Sequence, residues 1–200
     1  GRFETKAAVN LPLGEGWTSK LSFFTQRHRG MALNRVTGNR LDANDKYGLR
    51  SVVRYQGGDL DLVFSGEYQR DLSGGTSRDY VGPSSDLPGF GFEPDDDPRV
   101  VDQRIDGDFR MRGWSLSAKG TYVAPFADVV SVTAYRERDQ FLSTDILGLP
   151  RSPVTFDNDV GIKQFSQEFR VVSNGSGPLK WTAGLFYMDL KLDELNKDYF

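Results

Sequence analysis

The sequence predicts an all-β chain, an antiparallel up-and-down sheet of about eight strands, on three observations. Apolar and polar residues alternate with period two in segment after segment. Short turns and long polar connections alternate along the chain. One set of alternate positions gathers aromatic residues while the other gathers charges. The composition agrees, with 12% aromatic residues, 22 glycines and β-branched residues in short clusters.

Taken in order, Phe3, Ala7, Val9 and Leu11 alternate with Glu4, Lys6, Ala8 and Asn10 in the first strand. Trp17, Leu21 and Phe23 oppose Lys20, Ser22 and Gln26 in the second. The third sets Tyr47, Leu49, Val53 and Tyr55 against Gly48, Arg50, Val52 and Arg54. The fourth carries Leu60, Leu62, Phe64, Gly66 and Tyr68 against Asp61, Val63, Ser65 and Glu67. In the fifth, Trp114, Leu116, Ala118 and Tyr122 oppose Ser115, Ser117, Lys119 and Thr121. Three less regular strands are expected at about 129–138, 162–172 and 179–192. In these, Phe165, Phe169 and Val171 oppose Glu168 and Arg170, and Trp181, Ala183, Leu185 and Tyr187 share a face.

The connections carry the second signal. Short turns with glycine or proline are expected at 12–16, 56–59, 124–128 and 173–178. Long excursions rich in Asp, Asn, Arg, Gly and Pro are expected at 27–45, 71–108 and 139–160. In an antiparallel hairpin order, all short turns lie at one end of the sheet and all long loops at the other. A soluble sandwich has no reason to sort its loops this way. An outer-membrane barrel does, with apolar residues facing lipid and polar residues facing the lumen on tilted strands of about 9 to 11 residues.

Composition removes several function classes. With no cysteine and one histidine, His28, thiolate chemistry and any cluster of imidazole ligands within one chain are excluded. No apolar run exceeds about six residues, against roughly 20 for a membrane-spanning helix. A net charge of -3 gives no electrostatic footprint for nucleic acid, so none is expected as a partner. There is no Gly-x-Ser-x-Gly elbow, no Gly-x-Gly-x-x-Gly and no phosphate-cradling loop. No enzyme activity, catalytic residue, cofactor or metal is therefore expected. The acidic run 93–97 lacks the ligand-glycine spacing of a calcium loop and reads as a solvated charge run. His28 reads as a solvated side chain, with pairing to a loop aspartate in a barrel hydrolase as the alternative.

Several stretches, in order, resemble the barrel domain of TonB-dependent outer-membrane receptors. They are Ala7-Ala8-Val9-Asn10-Leu11-Pro12-Leu13, Arg27 to Asn34, Asn44 to Arg50, and Phe165-Ser166-Gln167-Glu168-Phe169-Arg170 followed by Trp181-Thr182-Ala183-Gly184-Leu185-Phe186-Tyr187. The last is similar to a hairpin common in those receptors. The resemblance covers most of the chain, and its motifs are structural, so it implies architecture rather than substrate. It implies a segment, residues 1–200, of one barrel of about 22 strands, or roughly 550 residues at this chain's spacing, with plug and remaining strands elsewhere. Residues 192–199 then read as the start of another loop. The implied function is energised uptake of a scarce nutrient, such as a siderophore-iron complex, a vitamin or an oligosaccharide, in the outer membrane of a Gram-negative bacterium. Implied partners are outer-membrane lipid and lipopolysaccharide, TonB with its inner-membrane complex, and the small nutrient ligand. Ligand contacts are expected on the long loops at Arg35, Arg40, Tyr80, Phe90 and Phe92, which combine cation and aromatic surface. A passive pore or small complete barrel, a soluble β-sandwich binding module and a barrel enzyme are the alternatives.

Overall fold

The computed structural model describes residues 1–80 and 97–199. Eight strands form one antiparallel sheet in chain order: β1 (Arg2–Gly14), β2 (Trp17–His28), β5 (Asn44–Gly57), β6 (Leu60–Asp71), β8 (Asp108–Val123), β9 (Ala127–Asp145), β10 (Thr155–Ser173) and β11 (Thr182–Tyr199). The short strands β3 (Ala32–Asn34), β4 (Arg40–Leu41) and β7 (Val100–Val101) form a second, three-stranded sheet within the connections. Every neighbouring pair of the large sheet is antiparallel, as a hairpin series requires. The sheet is open: β1 and β11 are its edges and do not pair with each other. That arrangement is neither a sandwich nor a small closed barrel.

The register shows how the alternation is used. Residues directly opposite in neighbouring strands share a face. On one face, Leu11 lies opposite Ser19, Phe23 opposite Leu49, Leu49 opposite Tyr68, Tyr68 opposite Trp114, Leu116 opposite Tyr135, Tyr135 opposite Phe165 and Phe169 opposite Leu185. The alternating apolar residues of the first seven strands of the large sheet thus fall mainly on one face, together with Ala183, Leu185 and Tyr187 of β11, whose Phe186, Met188, Leu190 and Leu192 lie on the other. The other face collects Glu4, Lys6, Lys20, Arg50, Arg54, Asp61, Glu67, Lys119, Arg136, Glu168 and Arg170.

Ring contacts lie at two levels of the apolar face, a single pair at one and a row of three pairs at the second. Near the short turns, Trp17 and Tyr55 lie 4.9 Å apart between ring centroids. Toward the long loops run the pairs Tyr47–Tyr68 at 6.2 Å, Trp114–Tyr135 at 5.2 Å and Phe165–Tyr187 at 6.3 Å. Immediately beyond this second row the same face becomes charged, at Arg27 and Asp45, Arg70, Arg112 and Asp139, Glu137 and Lys163, and Asp189.

The sheet does not fold around a core of its own. The accessible surface is 12931 Å², whereas a compact monomer of this mass exposes about 9,400 Å². Only Ala32, Leu41, Val101, Ala127, Val130 and Leu149 are buried apolar side chains among the described residues. Large residues of the apolar face such as Leu116 and Leu185 remain open to their surroundings.

Backbone turns follow the glycines. At the first hairpin Gly16 has φ of 86°, and a Cβ there would collide with the Gln56 carbonyl oxygen. On the polar face of β5, Gly48 leaves space that the Phe24 ring occupies.

Three expectations need correction. The last long excursion is only 146–154, because β9 and β10 stay paired as far as Asp145 and Thr155. Residues 192–199 continue β11 rather than opening a loop, with Asn158 Nδ2 donating to Glu194 at 3.0 Å across the ladder. Accordingly the eight strands of the large sheet run 12 to 19 residues, longer than the apolar alternation alone suggests.

Candidate functional site

The connections 29–43, 72–80, 97–107 and 146–154 leave the same end of the sheet and are knitted to one another. Strand β3 pairs antiparallel with β4 and parallel with β7, which joins the first connection to the second. Ala32, Leu41 and Val101 form the small apolar centre of this unit.

Buried polar side chains do the rest. The amide of Asn34, fully buried, donates to the Gln103 carbonyl and to Asp106 Oδ1, both at 2.9 Å, while its Oδ1 accepts from Val36 N at 3.1 Å. Asp106 also accepts from Thr37 Oγ1 at 2.5 Å and Asn39 Nδ2 at 2.7 Å. Burial alone would raise its carboxyl, but donation from Thr37, Asn39 and Asn34 outweighs that and holds it below the ordinary carboxylate value. Gln103 accepts from Arg78 N at 2.7 Å, and Asp42 accepts from Ser77 N at 2.9 Å and Ser77 Oγ at 2.6 Å. Asp145, fully buried at the end of β9, caps the last connection by accepting from Leu147 N at 3.0 Å and Gly148 N at 2.9 Å, and it also accepts from Arg104 N at 3.1 Å. With their polar groups satisfied in this way, these connections form an ordered rim above the sheet.

Of the residues expected to contact ligand, Arg35 is committed to structure: its Nε donates to Asp102 Oδ1 at 2.7 Å, which ties the end of β3 to the segment after β7. Arg40 stands exposed on β4, opposite Leu33. Tyr80 is half-buried at the end of the connection after β6. Phe90 and Phe92 lie outside the described residues, as does most of the acidic run 93–97. Its last member, Asp97, is paired side chain to side chain with Arg99, which holds its carboxyl below the ordinary value. His28 sits at the end of β2, where its Nδ1 accepts from Gly30 N at 3.3 Å, and it pairs with no aspartate among the described residues. Among the described residues no group of three or more His, Asp or Glu is placed to hold a metal ion.

Beneath the rim, the polar face offers two concavities that share Glu67. One, of about 500 Å³, is lined by Lys6, Ser22, Phe24, Gly48, Arg50 and Glu67. The other, of about 250 Å³, is lined by Gln69, Ser115, Arg136, Arg138 and Ile162 besides Glu67. Arg50 lies directly opposite Glu67 in the ladder, and Arg136 opposite Ser115. The wall therefore presents guanidinium groups, a carboxylate and one flat aromatic ring. Such a surface binds anionic or hydroxyl-rich small molecules through charge-assisted hydrogen bonds and stacking. The alternation assigned Arg50 and Glu67 to this face, but only the register brings Phe24, Arg136 and Arg138 to the same wall.

No protein-family model matches the chain, and no curated protein matches it either. Among solved structures it is similar to the ferric yersiniabactin uptake receptor FyuA from Yersinia pestis. The TM-score is 0.76 at 16% identity, and the match covers 98% of this chain and 30% of that receptor. At that identity the likeness concerns the fold: the open eight-stranded sheet matches part of a receptor barrel. The chain spans about 30% of the receptor's length.

Proposed function

We propose that residues 1–200 are part of the barrel wall of a TonB-dependent outer-membrane receptor, which imports a scarce nutrient across the outer membrane of a Gram-negative bacterium. The observation that carries this reading is the apolar face bounded by aromatic residues at two levels. Tyr47 and Tyr55 on β5, and Trp114 and Tyr122 on β8, each lie eight residues apart. At ~3.3 Å per residue and a strand tilt of ~40°, that spacing gives a band about 20 Å high, close to the apolar belt of a membrane barrel with its girdles. The polar face then lines the lumen, and the knitted rim faces the cell exterior.

The likeness to an uptake receptor supports transport rather than catalysis. A siderophore-iron complex, a vitamin or an oligosaccharide would meet Arg40 and Tyr80 at the rim and then the wall around Phe24, Arg50 and Arg136. Opening the path would require energy delivered by TonB through a plug domain outside this stretch.

The test is extraction and intact mass from the native membrane. The expected result is a protein that needs detergent and has a mass several-fold above 22.4 kDa. A mass near 22.4 kDa, or release without detergent, would overturn the reading. Reconstituted into a planar bilayer without the energising complex, the protein should conduct poorly; open conductance would indicate a passive pore instead.

A further inference from the structure

Strand β11 breaks the division of the sheet into an apolar and a polar face. Its Phe186, Met188, Leu190 and Leu192 lie on the polar face, opposite Glu168, Ser166, Gln164 and Ile162 of β10. All four are exposed. Among the described residues, no other strand of the large sheet carries four successive apolar side chains on that face. From Phe186 to Leu192 the stripe runs about 20 Å at ~3.3 Å per residue, and Ile162 widens the end nearest the rim. A continuous apolar stripe of this length facing water is unfavourable and marks a surface that something covers.

Strand β9 sets cations beside it. Arg138 lies opposite Ile162, which lies opposite Leu192, and Arg136 lies opposite Gln164, which lies opposite Leu190. Two strand spacings, about 10 Å, separate each arginine backbone from the stripe. Both arginines are exposed and share one face two residues apart, about 7 Å, so that one anion can reach both. Arg136 makes no hydrogen bond or ion pair among the described residues, and Arg138 donates to the Gln140 side chain. The nearby carboxylates are engaged or distant. Glu137 turns to the opposite face and pairs with Lys163 at 3.4 Å, and Glu168 pairs with Arg170 at 3.6 Å. Glu67 stands two strands from β9 and faces Arg50, and Glu194, beyond the stripe toward the rim, accepts from Asn158. The concavity of about 250 Å³ beside β9 therefore carries an excess of positive charge next to an apolar stripe.

We infer that this wall binds a single-chain anionic amphiphile. Its carboxylate or similar anion is held between Arg136 and Arg138, level with Trp114, and its acyl or similarly apolar chain lies along Leu192, Leu190, Met188 and Phe186 toward the short turns. The inference rests on the barrel reading above, in which this face lines the lumen, and it narrows the cargo to molecules with an apolar portion. A wholly hydrophilic solute leaves the stripe wet, and a neutral lipid leaves the guanidinium groups without a partner.

The experiment uses the full-length protein in amphipol with a myristate bearing a terminal diazirine, adducts being assigned residue by residue by peptide mass spectrometry after photolysis. Alternation supplies the control, because Leu185 and Tyr187 face the other way from Phe186, Met188, Leu190 and Leu192. Labelling of the four stripe residues should saturate and be displaced by myristate, but far less by hexanoate or tetradecanol. Across a series of carboxylates the affinity should rise roughly two- to fourfold per added CH₂. R136Q, which removes no bond of the folded chain, should weaken the saturable labelling severalfold and R136Q/R138Q about tenfold or more, while K20Q, elsewhere on the same face, should leave it unchanged. Wild-type affinity in R136Q/R138Q would overturn the inference. So would stripe residues that stay unlabelled while Leu185 and Tyr187 are labelled, since protein then covers the stripe and the barrel reading stands. Unsaturable labelling of both sets alike, in a protein released without detergent, would overturn the inference and the barrel reading together.

Discussion

On the proposed reading of the sheet as part of a barrel wall, Ala118 and Lys119 offer a direct test of which face meets lipid. They are adjacent on β8, midway between the girdle residues Trp114 and Tyr122, so their depths differ by at most one residue. Ala118 lies on the apolar face, opposite Phe64 and Thr133; Lys119 lies on the polar face, opposite Val63 and Val132. The swap A118K/K119A conserves composition and net charge and moves one ammonium group through the sheet. A lysine facing lipid near the bilayer midplane costs about 2–4 kcal/mol, whereas one facing an aqueous lumen costs little. The swap and A118K alone should therefore both lower stability by that amount, a factor of about 30 to 900 in the unfolding equilibrium, while K119A alone stays within about 0.5 kcal/mol of wild type. The assay is guanidinium unfolding of the full-length protein in lipid vesicles, followed by tryptophan fluorescence and analysed by linear extrapolation. If A118K unfolds at the wild-type midpoint with the wild-type slope, the apolar face does not meet lipid and the membrane band is wrongly drawn.

Other consequences are local. Asn34→Ala removes an amide that links β3 to Gln103 and Asp106, so amide exchange should accelerate at 35–39 and 103–106 by an amount equivalent to about 2 kcal/mol of local opening. The unfolding midpoint of the large sheet should not move; a global shift would mean that the rim is part of one cooperative unit with the sheet. Asp106 has a folded carboxyl value below its unfolded one, so its contribution to rim stability is complete above the unfolded value of about 4 and is lost only as pH falls through the lowered folded value. Exchange at 34–39 should therefore stay slow on acidification down to about pH 4 and rise below it, and D106N should remove that pH step. Gly16→Ala places a Cβ against the Gln56 carbonyl at a positive φ, and should destabilise the hairpin end by about 1–3 kcal/mol, seen as a lower unfolding midpoint. Gly14→Ala, also at positive φ but with open space around it, should cost less.

How much could be read from the sequence depended on where a residue stands relative to the apolar band. From Trp17 to Phe23, Tyr47 to Tyr55, Leu60 to Tyr68 and Trp114 to Tyr122, one face is apolar and the other polar, and the period-two signal locates each strand. Above the band both faces carry charge, as Glu137, Asp139, Lys163 and Arg138 illustrate, so the signal vanishes although the backbone ladder continues. That is why β9, β10 and β11 run past their expected ends, and why 192–199 proved to be strand. The small sheet β4-β3-β7 escaped notice for a related reason. Strands of two or three residues are too short to show a period, and their pairing depends on Asn34, Asp106 and Gln103, which are far apart in sequence.

Alternation, turn chemistry and loop lengths are local properties, and with them the sequence alone determined the strand order, the antiparallel connectivity, which side chains share a face and at which end the long connections gather. The register between strands, the capture of Arg35 by Asp102, and the meeting of Arg70 with Arg112 or Phe24 with Arg50 depended on the tertiary structure. Pairing fixes which distant residues stand opposite one another, and a slip of a single residue would carry every side chain of a strand to the other face.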